Sequence, residues 1–263
     1  MTIRKLGPAF HGRVWGARSL EPWYIPPESS KTSDPIGEVW FQTAEIPLLV
    51  KFLFTTQNLS VQVHPNDAYA KTHHNSRGKT EMWYVLAAEP GAKIASGFRE
   101  TITPQRAREA AMSGEIEHLL AWHDATPGDT FFIPAGTVHA IGAGLTICEI
   151  QQLSDITYRL YDYGRVGLDG QPRELHLEHG LAVSHLGPHE ARSPLPVRGE
   201  YFVTELVRGQ LPSAQQPQMV IALAGSGHLG EMDLRAGEVA LVPPRSPAME
   251  VCGTLQLMLT LVP

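Results

Sequence analysis

The stretch that decides the fold is GDTFFIPAGTVH, residues 128–139. Its spacing is G-x5-P-x-G-x-x-H, with Gly128, Pro134, Gly136 and His139 at the fixed positions. The first glycine makes a turn into a strand, and the proline and second glycine make the turn that ends it. The next strand then begins with the histidine. A glycine-bounded hairpin of this kind can fix an imidazole so that it faces the lumen of a small β-barrel.

The rest of the chain also favours a strand-rich fold. Short β-branched and aromatic runs alternate with turns, and the chain contains 24 glycines and 21 prolines. One helical stretch is expected over 103–123, capped by Thr103 and broken into two short helices at Gly114. Residues 174–185 are expected to form a short linking helix, and residues 68–80 a connection.

A second segment repeats the frame of the opening stretch without its histidine. GEVALVP at 237–243 matches GDTFFIP in its glycine, its acid, its four apolar or small residues and its proline. Continuing the register places Ala248 opposite His139. We therefore expect an internal duplication and two domains, residues 1–185 with the site and the helical segment, and residues 186–263 as a degenerate copy.

Charge and apolar patterning exclude several classes of protein. The 21 basic and 27 acidic residues give a net charge of −6, and no basic run is present, which argues against general nucleic-acid binding. No apolar run approaches the roughly 18 residues of a membrane helix, and we expect no signal peptide. Cys148 and Cys252 lie in apolar runs and are expected to be buried thiols of a reducing compartment. A cytoplasmic protein is the expectation.

The 12 histidines invite a search for a metal site. Gln62 and His64 lie two residues apart on an apparent strand, so their side chains share a face. Glu81 opens the next strand. With His139, these residues supply two imidazoles, a carboxylate and an amide oxygen, which can surround one divalent metal and leave room for water or substrate. The donor set suits Zn²⁺, with Mn²⁺, Fe²⁺ or Co²⁺ possible.

A lone histidine on a strand is more often structural than a ligand, so the pairing and the hairpin carry this interpretation together. Eight other histidines have no paired spacing and are expected to be solvated or structural: His73, His74, His118, His123, His176, His179, His185 and His189.

Several segments resemble a known family when they are taken together. The segments are SVQVHPND at 60–67, GKTEMWYV at 78–85, IPAGTVHAIG at 133–142 and EIQQLSDITYRLYDYGR at 149–165, supported by WGARSL at 15–20 and PRELH at 172–176. They are similar to the type I mannose-6-phosphate isomerases in their short bacterial or archaeal form, and the opening hairpin alone resembles the second conserved motif of the cupin superfamily. The resemblance extends over about residues 13–185, and more faintly to the C-terminus.

The resemblance implies a mainly β fold of two cupin domains, each a jelly-roll β-barrel, with a few short helices and a metal-free second barrel. It also implies one zinc per chain, and the family's zinc ligands fall on Gln62, His64, Glu81 and His139. The family's active-site lysine, arginine and two acids fall on Lys79, Arg159, Glu149 and Asp155. The implied reaction is the reversible interconversion of mannose 6-phosphate and fructose 6-phosphate through a cis-enediol. We expect a monomer or homodimer that acts on a small sugar phosphate, with neither nucleic acid nor membrane as a partner.

Period two on a strand places Asp155, Thr157 and Arg159 on one face, which brings together a carboxylate for proton transfer and a guanidinium for an anion. Lys79 with Arg159 is the expected cationic pocket for the phosphate, although Lys79 could instead assist proton movement at the sugar oxygens. The general base stays open between Glu149, Asp155 and a histidine of the metal shell.

One segment departs from the family, and two other functions remain open. WFQTAEIP at 40–47 replaces a pattern nearer to W-E-V-S, so we expect that region to contact the substrate differently or not at all. A metal-dependent cupin oxygenase would share the fold, but Gln62 disfavours it because redox-active iron sites of this fold usually use more imidazole. A non-catalytic module that binds sugar phosphate is the other alternative, and no helix-turn-helix pattern supports it.

Overall fold

The structure is a computed structural model that describes residues 2–25 and 34–263, and its fold is mainly β as the sequence predicts. The strands before residue 186 are β1 (Arg4–Lys5), β2 (Ala9–Ala17), β3 (Ile36–Thr43), β4 (Ile46–Thr55), β5 (Val61–Val63), β6 (Glu81–Ala88), β7 (Lys93–Phe98), β8 (Leu120–Asp124), β9 (Thr130–Ile133), β10 (His139–Ile141), β11 (Leu145–Gln152) and β12 (Tyr158–Tyr161). Those after it are β13 (Val197–Arg198), β14 (Val203–Val207), β15 (Gln210–Leu211), β16 (Gln218–Ala224), β17 (Ser226–Leu229), β18 (Met232–Arg235), β19 (Val239–Val242), β20 (Met249–Gly253) and β21 (Gln256–Leu261).

The helices are short and lie in the N-terminal part of the chain: α1 (Asp67–His74), α2 (Pro104–Ser113), α3 (Ile116–Leu119) and α4 (Leu177–Val183). Thr103 caps α2 by accepting a hydrogen bond from a backbone N–H, and Gly114 ends it with φ at 85°, as predicted. The predicted helix over 103–123 is wrong after residue 119, because Leu120 is extended and starts a strand that pairs with β7. None of the helices in the described ranges is long and apolar enough to cross a bilayer.

The helix α1 overlaps the segment that the sequence predicts as a connection, residues 68–80. It is only eight residues long, and its start depends on Asn66, whose side chain accepts a hydrogen bond from the N–H of Tyr69. Such a short helix has too few turns to show a clear apolar period, although the capping asparagine was visible in the sequence.

Four antiparallel sheets build the described part of the chain. The five-stranded sheet has the order β12-β5-β10-β7-β8, and the first six-stranded sheet has the order β2-β3-β4-β11-β6-β9. The second six-stranded sheet has the order β1-β19-β16-β21-β14-β13, and the four-stranded sheet has the order β15-β20-β17-β18. The residues of the two six-stranded sheets share one apolar core, whereas the helices pack with the outer face of the five-stranded sheet.

Strand β11 shows why the first six-stranded sheet has two different faces. Every residue of β11 except Thr146 is buried, because both faces of the sheet are covered. Cys148 and Ile150 belong to the core shared with the second six-stranded sheet, in the same cluster as Met219. Ile147 belongs to the core between the first six-stranded and five-stranded sheets. Since the strand alternates, Glu149 shares the face of Ile147 and points between those two sheets.

The two segments of the sequence echo occupy similar elements. Gly128 and Gly237 both have positive φ, at 94° and 87°, and each precedes a four-residue strand, β9 or β19. Ala248 lies just before β20. One N-terminal strand crosses to the other half, since β1 pairs with β19. The division at residues 185 and 186 and the metal-free second cupin barrel stay predictions.

One cysteine differs from expectation. Cys148 is buried as predicted, but Cys252 is exposed, so that part of the prediction is wrong. The reason is alternation along β20, where Val251 packs on the core of the C-terminal half and its neighbour therefore points to solvent.

The packing between the two six-stranded sheets gives a stability prediction. Phe52 is fully buried there, edge-on to the rings of Phe41 and Tyr24. Phe52→Ala should lower the free energy of unfolding by about 3–5 kcal/mol, because it removes apolar contacts and leaves a cavity. The measurement is denaturant unfolding, with Met112→Ala on an exposed helix position as control, expected within about 0.5 kcal/mol of the parent. Equal effects of the two changes would contradict this packing.

Candidate active site

Three side chains converge between the five-stranded sheet and the first six-stranded sheet. His64 follows β5, Glu81 begins β6 and His139 begins β10. One ligand atom from each of these buried residues lies within 4.8 Å of the others. Gln62 joins them because it pairs with His139 across the β5–β10 register, and its amide nitrogen lies 3.2 Å from Nε2 of that histidine. The structure thus brings together the four residues that the sequence predicts as metal ligands.

Backbone carbonyls orient both imidazoles. Nδ1 of His64 donates a hydrogen bond to the carbonyl of Ile156 at 2.9 Å, and Nδ1 of His139 donates to the carbonyl of Thr137 at 2.9 Å. With the proton on Nδ1, each Nε2 keeps its lone pair. These Nε2 atoms lie 3.5 and 3.4 Å from the carboxylate oxygens of Glu81. A backbone acceptor behind the ring and an unprotonated Nε2 in front are what a metal-binding histidine requires.

Burial sets the charge states of these groups. Burial, and then the charge of Lys79, lower the pKa of His64 to about 4, and burial also lowers the pKa of His139. Both rings are therefore neutral near pH 7, which is the form that binds a metal. Burial alone would raise the pKa of Glu81, but the adjacent Lys79 and His64 hold this pKa well below its usual range. The carboxylate is therefore ionised.

The donor set fits a divalent cation. Oε1 of Glu81 is buried and, within residues 2–25 and 34–263, has no hydrogen-bond partner. A buried carboxylate oxygen without a donor is costly unless a cation lies against it. Two neutral imidazoles and one ionised carboxylate form a nitrogen and oxygen set of the kind that zinc uses in sites with an open position, whereas the amide oxygen of Gln62 accepts a hydrogen bond from Ser60 at 3.0 Å.

Buried lysines and carboxylates surround this centre. Lys79 forms an ion pair with Glu81, and its Nζ lies 3.0 Å from Nε2 of His64. Glu149 lies 3.8 Å from Lys79 and 3.2 Å from Lys51, and it accepts a hydrogen bond from Nε1 of Trp83 at 2.9 Å. Burial lowers the pKa of Lys79, but the two carboxylates outweigh it and raise this pKa, so the lysine is charged.

A cavity of about 660 Å³ opens beside the metal-ligand cluster. Its lining includes five of the eight predicted site residues, Gln62, Lys79, Glu149, Asp155 and Arg159. Thr157 also lines it, so residues 155, 157 and 159 reach one cavity as expected, although the strand that carries Arg159 begins only at Tyr158. The other three predicted residues form the buried cluster, so all eight are gathered in one region.

Arg159 is the predicted residue with the most distinctive surroundings. Its Nε is buried and makes no hydrogen bond to any of the described residues. Burial lowers the pKa of this guanidinium. Its own backbone N–H donates to Nδ1 of His176, which lines the cavity although the sequence predicts it to be solvated or structural. The PRELH segment, which carries His176, was the signal for it.

Sequence reasoning missed a second set of cavity residues. Glu38 on β3 accepts hydrogen bonds from Arg13 at 3.2 and 3.0 Å and from Nε1 of Trp40 at 2.6 Å. Trp40 lines the cavity, so the segment that departs from the family pattern reaches it. Lys51 was also missed, and its signal was a single charge within the apolar strand IPLLVKFLF.

Comparisons with known proteins agree with this geometry. Residues 28–91, which include Gln62, His64, Lys79 and Glu81, match the family model described as phosphomannose isomerase type I, catalytic domain. A mannose-6-phosphate isomerase of Streptococcus mutans is 35% identical to this chain and covers 85% of it and 79% of the relative.

Solved structures show the same fold. The crystal structure of the mannose 6-phosphate isomerase from Bacillus subtilis has a TM-score of 0.86 and 28% identity, with all of both chains covered. A zinc-bound mannose 6-phosphate isomerase has a TM-score of 0.73 and covers all of both chains, and at 16% identity it supports the fold alone. The 35% identity over most of the Streptococcus relative decides the family. The chain belongs to the type I mannose-6-phosphate isomerase family.

Proposed function

We propose that this chain is a metal-dependent aldose–ketose isomerase that interconverts mannose 6-phosphate and fructose 6-phosphate through a cis-enediol. The observation that carries the proposal is the convergence of two neutral imidazoles and a buried carboxylate within 4.8 Å, beside a cavity lined by Arg159, whose buried Nε has no hydrogen-bond partner among the described residues. The activity named for the Streptococcus and Bacillus relatives supports it.

Gln62, His64, Glu81 and His139 would hold one divalent cation per chain, and their donor types favour Zn²⁺ over Mn²⁺, Fe²⁺ or Co²⁺. When bound, the ion supplies an electrophile for the carbonyl and hydroxyl oxygens of the sugar. The zinc-bound relative with this fold supports the choice of metal.

The isomerisation requires a base that moves a proton between C1 and C2 of the sugar. Glu149 and Asp155 both line the cavity, but Asp155 is exposed whereas Glu149 is buried beside Lys79, next to the metal ligands. We therefore assign the proton transfer to Glu149. The two histidines are unsuited to it because their Nδ1 protons are held by backbone carbonyls and their Nε2 atoms face Glu81.

Lys79 and Arg159 take different roles in this proposal. The charge of Lys79 is already paired with Glu81 and lies close to Glu149, so it is poorly placed to attract a phosphate dianion. Lys79 instead holds or moves a proton at the sugar oxygens. Arg159 keeps its guanidinium for an anionic group of the substrate, since the described residues offer its Nε no partner.

The proposal also covers partners and location. A small sugar phosphate is the partner, the enzyme works as a monomer or homodimer, and neither nucleic acid nor membrane takes part. The net charge of −6 and the absence of a basic run support the exclusion of nucleic acid. A cytoplasmic location is supported by two free cysteines, Cys148 and Cys252.

The direct test is to incubate the purified protein with mannose 6-phosphate and to measure fructose 6-phosphate. Turnover should require a divalent metal, should be lost after chelation and should return with added Zn²⁺, without any need for oxygen. Metal-dependent binding of the sugar without C2-proton exchange would indicate the non-catalytic module, and a need for oxygen would indicate an oxygenase.

His139→Ala should abolish both metal content and isomerase activity while the chain still folds, because it removes one ligand and leaves the sheets intact. Metal analysis, activity and circular dichroism check this. The control is His228→Ala at an exposed strand position of the C-terminal half, which should keep the metal and the activity. Full activity of the His139 variant would remove the metal site from the mechanism.

Arg159→Ala should lower kcat/KM about 100-fold or more with the metal still bound, because it removes a preorganised cation from the cavity. Steady-state kinetics and metal analysis on the same sample check this, with Arg235→Ala on the exposed face of β18 as control. Unchanged turnover would show that Arg159 has only a structural role.

A further inference from the structure

Three arginines distant in sequence line the same cavity: Arg13, Arg159 and Arg173. Their neighbours differ. The guanidinium of Arg13 is held by Glu38 through two hydrogen bonds, and Arg159 has a buried Nε that no described residue accepts from. Arg173 is held by Asp162, at 3.1 Å, and its side chain is 19% exposed. Each of the three can therefore present N–H groups to the cavity.

Asp162 is a rigid support for Arg173. Its carboxylate is 4% exposed and also binds Arg165 at 2.7 Å. Arg165 is itself fixed, because it donates to the carbonyl of Asn58 at 2.6 Å and lies over the ring of Tyr163 at 5.2 Å. Arg165 lies outside the cavity lining, so this one carboxylate ties a structural arginine to a cavity arginine.

The charges divide the site into two regions. Next to the metal-ligand cluster, Lys51 and Lys79 are balanced by Glu81 and Glu149. The second region, around Arg13, Arg159 and Arg173, is called the arginine region. Its guanidiniums exceed its carboxylates in number by two. The groups counted there are Arg13, Arg159, Arg165 and Arg173 against Glu38 and Asp162.

That surplus matches one phosphate monoester, which carries −1.5 to −2 near pH 7. The acids Asp155 and Asp169 also line the cavity, and Glu174 lies nearby, but all three are exposed and screened by water. After burial, the charge of Arg159 is the strongest influence that lowers the pKa of Arg173, so the two guanidiniums repel each other. An anion between them would relieve that repulsion.

We propose that Arg173 and Arg13, together with Arg159, form the subsite for the phosphate group of the substrate, and that Asp162 is the residue that positions Arg173. The inference rests on the proposed function and deepens it. Planar guanidiniums bind phosphate oxygens through paired hydrogen bonds, which a single ammonium cannot reproduce. The region beside the metal ligands, where the charges of the lysines and carboxylates balance, then binds the uncharged end of the sugar.

The test replaces Arg173 with Gln and compares substrates with and without a phosphate on the metal-loaded enzyme. R173Q should raise KM for mannose 6-phosphate, and Kd for inorganic phosphate measured by calorimetry, about 10- to 100-fold. The loss of kcat/KM on mannose 6-phosphate should exceed any loss on unphosphorylated mannose at least about tenfold, because only the phosphorylated sugar uses this subsite. The control is R208Q at an exposed position, which should change none of these constants.

A second variant separates binding from folding. R173K keeps a charge for Asp162 and should weaken phosphate binding less than R173Q but by more than threefold, with an unchanged unfolding midpoint. An unchanged Kd for phosphate in R173K and R173Q, or an equal loss of kcat/KM on mannose and mannose 6-phosphate, would overturn the subsite. If the parent binds phosphate through Arg173 but makes no fructose 6-phosphate, the subsite stands and the proposed function fails.

Discussion

The structure depends on a carboxylate that has no access to water. Glu81 is 0% exposed, and an ionised group in that position is strongly unfavourable unless cations and donors surround it. Lys79 supplies one cation, and the convergence of two imidazole Nε2 atoms supplies a place for a second. A buried charge of this kind is poor for stability and useful for chemistry, because electrostatic interactions are stronger where water is excluded.

The sheets meet that requirement by placing site residues at strand ends and on alternating positions. Glu81 and His139 are the first residues of their strands, so strand pairing fixes their side chains, and a turn at residues 135–136 precedes His139. Arg159 faces the cavity while Tyr158 and Leu160, its neighbours on the same strand, pack under the helices. The same period of two therefore builds the core and delivers the functional groups.

Much of the site could be predicted from the sequence, because its residues lie in short motifs with fixed spacing. Gln62 and His64 share a strand face, and the glycine and proline turns fix His139, so local rules were sufficient. Lys51, Glu38 and Arg173 could not be found this way, since their roles depend on partners 11 to 98 residues away that only the pairing of strands and the folding of loops bring close. The error after residue 119 has a related cause, because the pairing of Leu120 with Phe98 outweighs local helix preference.

The alternation along β11 has a consequence for how the protein can evolve. Glu149 faces the cavity, whereas its neighbours Cys148 and Ile150 are packed against the C-terminal half. Adjacent residues of one strand thus serve the site and the core. A substitution in the C-terminal half can therefore displace the carboxylate of Glu149 without contacting it. The C-terminal half is therefore constrained by its packing, even though Ala248 stands where the first hairpin has a histidine. Its sequence is free to drift only as far as the volume of that shared core permits.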